Sequence, residues 1–222
     1  MEISVAGTHE ETVRPELARL HASATAEGAS KEDVLRIATA VVNQLSAELT
    51  RLNQSGAVGE LVVHPISTSS WRPINRGKQQ PPIYRAQAGV RADFTDFAAL
   101  ADLAARLGAV EGLELNWVEW RLTEETRRRL DGVCLTRAVE QARERALVMA
   151  KAAGESQVVF VQLADPGLLG EPAIRQEAFA GGAQLAMSRS KLMADEMAGI
   201  ELRPEDLTVS ATVQARFTTP AG

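Results

Sequence analysis

The chain has 222 residues, 45% hydrophobic and 24% charged, with a net charge of −5. That is enough apolar material for a sizeable core, and the acidic balance argues against broad electrostatic capture by nucleic acid or an anionic membrane. A single cysteine, Cys134, excludes an internal disulfide and leaves too few thiols for a zinc or iron–sulfur centre; flanked by Val133 and Leu135, it reads as a packed, inert thiol.

The first residues, Met-Glu-Ile-Ser-Val-Ala-Gly, lack the basic head and apolar run of a secretory signal. The expectation is a cytoplasmic protein, or a secreted or periplasmic one only if a signal segment has been removed. No window approaches the ~20 apolar residues of a membrane span.

Ile3 and Val5 alternate with polar residues, and Gly7 to Thr12 reads as a turn. Pro15 then opens a run in which Leu20, Ala22, Ala24 and Ala26 share one side, so the start of the chain predicts a hairpin. Gly28 ends it. Ser30 with Asp33 three residues on supplies a helix N-cap. Val34, Ile37, Ala38, Val41, Val42, Leu45 and Leu49 keep the helical period up to Gly56.

Leu61, Val63 and Pro65 begin a strand, and Tyr84, Ala86, Ala88 and Val90 alternate into a partner ending at Phe94. The polar, proline-rich segment 67–82 between them predicts a long hairpin with a mobile tip. Thr95 and Asp96 cap a short helix that stops at Gly108. In the next strand Leu113, Leu115, Trp117 and Glu119 form one face and Val118, Trp120 and Leu122 the other.

A helix from about Thr123 to Gly154 follows, in which Ala138, Ala142, Ala146 and Ala150 stand four apart and form one smooth stripe suited to close packing. At ~1.5 Å per residue it is roughly 45 Å long, and its first turns overhang the core. Val158–Leu163 and Val209–Phe217 read as strands. Segment 165–203 reads as a flexible insert with a short helix over Ala183–Met197.

The order repeats a strand-strand-helix unit and predicts an α+β fold: two such units and the long Ala-rich helix packed on antiparallel or mixed sheet, in a single domain over 1–222. Unpaired sheet edges in such a fold are places for self-association.

Residue chemistry names no reaction. His9, His21 and His64 lie in separate segments without metalloprotease spacing, Ser67–Ser70 has no nucleophile elbow, and Gly181-Gly182 follows no strand and so fails as a phosphate cradle. No catalytic, metal or cofactor-binding residue is assigned. Arg127–Arg129 and Arg143–Arg145 are interleaved with acids and predict a solvated helix face. Met187, Met193 and Met197 form either an adaptable docking face or a helix loosely packed on the core. Trp71 and Arg72, with Tyr84 nearby in sequence, are the candidate interaction surface; the alternative is that Trp71 folds back on its own hairpin.

Several segments occur here in one collinear order: Ile3–Gly7 with Arg14–Ala18, Glu27–Glu32, Ile66–Thr68, Pro82–Ala86 leading to Val90 and Asp93, Trp120–Glu124, the alanine helix through Gly154, and Pro204–Phe217. In that order the chain resembles the SIMPL-domain family, populated mainly by bacterial proteins. The resemblance implies a SIMPL-like α+β fold and carries no catalytic residue. It also implies kinship with secreted and periplasmic antigens, some building ring-like or channel-like oligomers, and with proteins linked to oxidative stress. The chain departs from the family in its missing signal segment and in Trp120, where an aromatic such as Phe is usual. The functional expectation is a non-enzymatic protein acting by self-assembly, as a homo-oligomer, or by binding a protein partner. The alternative is a small-molecule-binding or stress-related protein with a pocket between helices and sheet.

Overall fold

The computed structural model describes residues 1–169, 190–191 and 203–220. In chain order the elements are β1 (Glu2–Val13), β2 (Leu17–Gly28), α1 (Lys31–Gln54), β3 (Val58–Val63), β4 (Ser67–Trp71), β5 (Ile74–Asn75), β6 (Lys78–Gln79), β7 (Ile83–Phe94), α2 (Phe97–Leu107), β8 (Leu113–Arg121), α3 (Glu124–Ala152), β9 (Val159–Ala164), β10 (Ser190–Lys191) and β11 (Leu207–Thr218). Every strand pair among the described residues is antiparallel, so the fold is α+β, as the alternating pattern predicts. The chain divides into two compact units.

In one unit the sheet order is β1-β11-β9. β1 and β11 pair along their whole length, from Glu2 opposite Thr218 to Val13 opposite Leu207. α3 starts at Thr123, whose side chain accepts from the Thr126 amide, and it lays its stripe on this sheet. The stripe is longer than four alanines: Leu130, Cys134, Ala138, Ala142, Ala146 and Ala150 are all buried, one every four residues. The alanines pack against Ile3, Val213, Ala215 and Phe217. Methyl side chains bring the helix so close that a Cβ on Gly7 would sit 2.0 Å from the Ala138 carbonyl oxygen.

This contact corrects the reading of the first segment. Gly7 is not in a turn; β1 runs straight through it, and the glycine is there because the α3 backbone occupies its side-chain space. Nor do β1 and β2 form a hairpin. β1 pairs with β11, whereas β2 lies in a different sheet between β7 and β8.

The second unit has the sheet order β10-β8-β2-β7-β3, with β4 also on β7. α1 packs on β2, β7 and β3 through Val34, Ala38, Val41, Val42, Leu45 and Leu49. Full burial of each Val or Leu side chain contributes roughly 1.5–3 kcal/mol. Ser30 accepts from the Asp33 amide at the helix start, and Asp96 caps α2. The inner sheet face is made of small and aliphatic residues, Ala18, Leu20, Ala22, Ala24, Ala86, Ala88, Val90 and Ala92, all buried.

β8 departs from simple alternation. His21 pairs with Trp117 but Ala22 pairs with Leu115, so Asn116 is an extra residue. The bulge shifts the phase by one: Leu113, Leu115, Val118 and Trp120 are buried together, and Trp117, Glu119 and Arg121 turn to the opposite face. The expected grouping of Trp117 and Glu119 with Leu113 and Leu115 is thereby corrected. Segment 67–82 is also more ordered than a simple loop, since it contains β4 and the small β5–β6 hairpin. Of the helix expected over Ala183–Met197, Ser190–Lys191 is instead a short strand on β8. The rest of it, including Met187, Met193 and Met197, lies outside the described residues.

Candidate functional site

Three surfaces gather the side chains that could act. The first is the face of the larger sheet opposite its inner aliphatic face. The strand register sets Arg19 of β2 directly between Asp93 of β7 and Glu119 of β8, and His21 between Arg91 and Trp117. Arg19 grips Asp93 with two bonds, Nε to Oδ1 at 2.5 Å and Nη2 to Oδ2 at 2.7 Å. Arg121 approaches the same carboxylate at 3.7 Å, and Glu60 accepts from both Arg19 and Arg91. Each cation thus faces an anion, and the cluster neutralises itself. It reads as a lock on strand register, with Asp93 buried inside it.

His21 stacks on Trp117 with ring centroids 4.5 Å apart and an interplanar angle of 16°, and its Nε2 lies 3.4 Å from Glu119. Burial pushes the imidazole below its ordinary value of 6.5, Arg19 and Arg91 push the same way, and Glu119 opposes them. The unfolded chain therefore takes up this proton more readily than the folded protein. Stability from neutral His21 is complete above about pH 6.5 and is lost as pH falls through the lower folded-state value. Denaturant unfolding from about pH 8 down to about pH 5 is expected to show a stability loss below 6.5 that His21→Gln lacks. Parallel pH curves for the two proteins would contradict it.

The second surface is the arm formed by β4, β5, β6 and the start of β7. Trp71 pairs with Ile83 and Ser70 with Tyr84, so Trp71 and Tyr84 point to opposite faces. Tyr84 is half-buried against the core cluster of Ala26, Val34, Ala38 and Ala86, while Trp71 is 42% and Ile74 72% exposed. The structure therefore keeps Trp71 and Arg72 together on an exposed arm and assigns Tyr84 to packing. Arg76 (φ 48°) and Gly77 (φ 77°) make the two-residue turn of the β5–β6 hairpin, which requires positive φ at both positions.

The third surface is β9. Among the described residues it is an edge strand, and Val159, Phe160, Val161 and Leu163 are all exposed, although Phe160 meets Phe217 at 4.3 Å. The other edge, β1, carries Glu2, His9, Glu10 and Glu11, whereas β9 has no charge at all. Charge is the usual protection of an edge against pairing, and β9 lacks it. The strand itself is legible from its sequence; its edge position is not.

Other candidates fall to structural roles. Cys134 is buried, its Sγ–H donates to the Val209 carbonyl at 3.3 Å, and burial pushes the thiol up, away from the reactive thiolate. His9 bonds Glu11, and His64 covers Gly89, whose absent Cβ would meet the ring at 3.2 Å. Among the described residues no group of three or more His, Cys, Asp or Glu could hold a metal ion. Ser67 donates to the Gln87 carbonyl within the β4–β7 pairing. A groove of about 300 Å³ between α1 and α2 is lined by Leu52, Ala99, Asp102, Ala105 and Arg106, and Arg106 is turned to Glu48. No helix of the described residues is long and apolar enough to cross a membrane.

The model of the SIMPL family, described as a protein of unknown function (DUF541), matches residues 3–217. The chain belongs to the SIMPL family. The match runs from β1 to β11 and so takes in both units of this SIMPL fold. No curated protein matches the chain.

Proposed function

We propose that this SIMPL protein is non-enzymatic and works by self-association through the free edge of its three-stranded sheet. The observation that supports this most is β9, an uncharged edge strand with four exposed large apolar side chains. Among the described residues nothing pairs with the outer side of this strand, which offers a row of backbone donors and acceptors, and a second β9 is chemically complementary to it because neither carries a charge to repel the other. Antiparallel pairing of two copies about Val161 sets Val159 opposite Leu163 and satisfies both edges at once. That contact is isologous, the common form for a homodimer.

Light scattering across a concentration series tests the reading. The expected result is a species heavier than the 23.9 kDa chain, converted to that mass by Val161→Lys, which adds one charge per copy at the centre of the contact. A mass of one chain at every concentration, or assembly unaffected by Val161→Lys, would overturn it.

A further inference from the structure

The net charge of −5 is not evenly spread. Residues 61–92 hold five Arg or Lys and no Asp or Glu, so the rest of the chain carries −10. Two of these cations are engaged at the base of the arm, Arg85 with Glu27 and Arg91 with Glu60. The other three, Arg72, Arg76 and Lys78, cluster on the β5–β6 hairpin and its approach, with no carboxylate in salt-bridge range among the described residues. Beside them stand the exposed Trp71 and Ile74.

We infer that this hairpin tip docks on the surface of an anionic lipid bilayer, with Arg72, Arg76 and Lys78 on the headgroup phosphates and Trp71 and Ile74 entering the interfacial layer. The residue types match the two requirements of that layer. Each Lys or Arg near an anionic membrane strengthens binding by a factor of about five, and the Trp ring prefers the boundary between headgroup and acyl chain. Size favours a bilayer over a folded protein as the occupant. A stable protein interface engages about 20–30 residues a side, and a ribbon with two residues per strand cannot supply them, whereas a continuous charged plane needs only a few anchors. The overall negative charge does not oppose docking if the tip reaches the surface first, because the lipid field decays within about 10 Å at ordinary salt.

Co-sedimentation of the full chain with vesicles tests this. Retention is expected on vesicles containing phosphatidylglycerol and not on phosphatidylcholine alone, with loss at high salt. The Arg72→Gln/Arg76→Gln/Lys78→Gln variant is expected to bind about a hundredfold more weakly, three charges at about fivefold each. Trp71→Ala/Ile74→Ala is expected to weaken retention as well, and Trp71→Phe to abolish a blue shift of tryptophan emission on binding. Circular dichroism unchanged from the parent shows that each variant is folded, as these side chains contribute nothing to the core. Retention on neutral vesicles equal to that on anionic ones, or no retention on either, would overturn the inference. So would retention unaffected by either set of substitutions, or a single-stranded oligonucleotide displacing the chain from vesicles at equal total charge.

Discussion

Gly7→Ala is expected to destabilise the three-stranded unit by about 3 kcal/mol or more, enough to leave much of it unfolded. The added Cβ would fall 2.0 Å from the Ala138 oxygen, 2.6 Å from the Ala142 nitrogen and 2.9 Å from the Ala142 Cβ. Two of those neighbours are backbone atoms, which cannot rotate away as a side chain can. The helix must lift off the sheet, and the burial of Ala138 and Ala142 is lost with it. Gly132→Ala is the matching control. It lies in the same helix with nothing within 4 Å of the new Cβ, so it should gain about 0.5–1 kcal/mol from helix propensity and the stiffer unfolded chain. Urea midpoints for the two variants should move in opposite directions. A Gly7→Ala midpoint equal to that of the parent would mean that α3 does not sit this close.

Asp93→Ala is expected to cost about 2–4 kcal/mol. The carboxylate is the shared partner of Arg19 and Arg121, and its side chain is 9% exposed against 13% for Arg19. Removing it leaves a guanidinium partly desolvated, with Glu119 and Glu60 as the remaining acids around it. An exposed pair provides the contrast: Glu140→Ala breaks the bond to Arg137 on the open face of α3, at 2.9 Å, and should change stability by no more than about 0.5 kcal/mol. Denaturant curves giving similar losses for the two would show that the Arg19–Asp93 lock contributes no more than a surface ion pair.

These two positions also show what the residues disclosed in advance. The alanine stripe, both helix caps and the inner faces of β2 and β7 follow from local patterns of period 3.6 or 2, which depend only on neighbours in sequence. Gly7 was misleading because a glycine before polar residues has the composition of a turn; the partner that explains it is 131 residues away at Ala138. Asn116 hid the charged face for a related reason. A bulge leaves no mark in composition, yet it reverses which of Trp117, Glu119 and Val118 face the core. Arg19, Asp93 and Glu119 lie in three different strands, so their meeting depends on register that no single segment encodes. In sequence Trp71 fits an open interaction surface and a fold back on its own hairpin equally well, and Tyr84 is drawn inward by the pleat of the strand that holds it. The edge position of β9 among the described residues depends on which strand ends up outermost, a property of topology.

The pairing of β1 with β11 orders events during synthesis. Glu2 meets Thr218 and Val13 meets Leu207, so β1 has no partner until β11, far along the chain, has left the ribosome. Pro15–Arg121 carries nearly all of the other unit's strands and helices in one continuous stretch, and its closing contacts span far shorter loops. In the interval, the twelve residues of β1 wait as an open strand. The acids along it, Glu2, Glu10 and Glu11, place on that waiting strand the charges that oppose pairing with another chain.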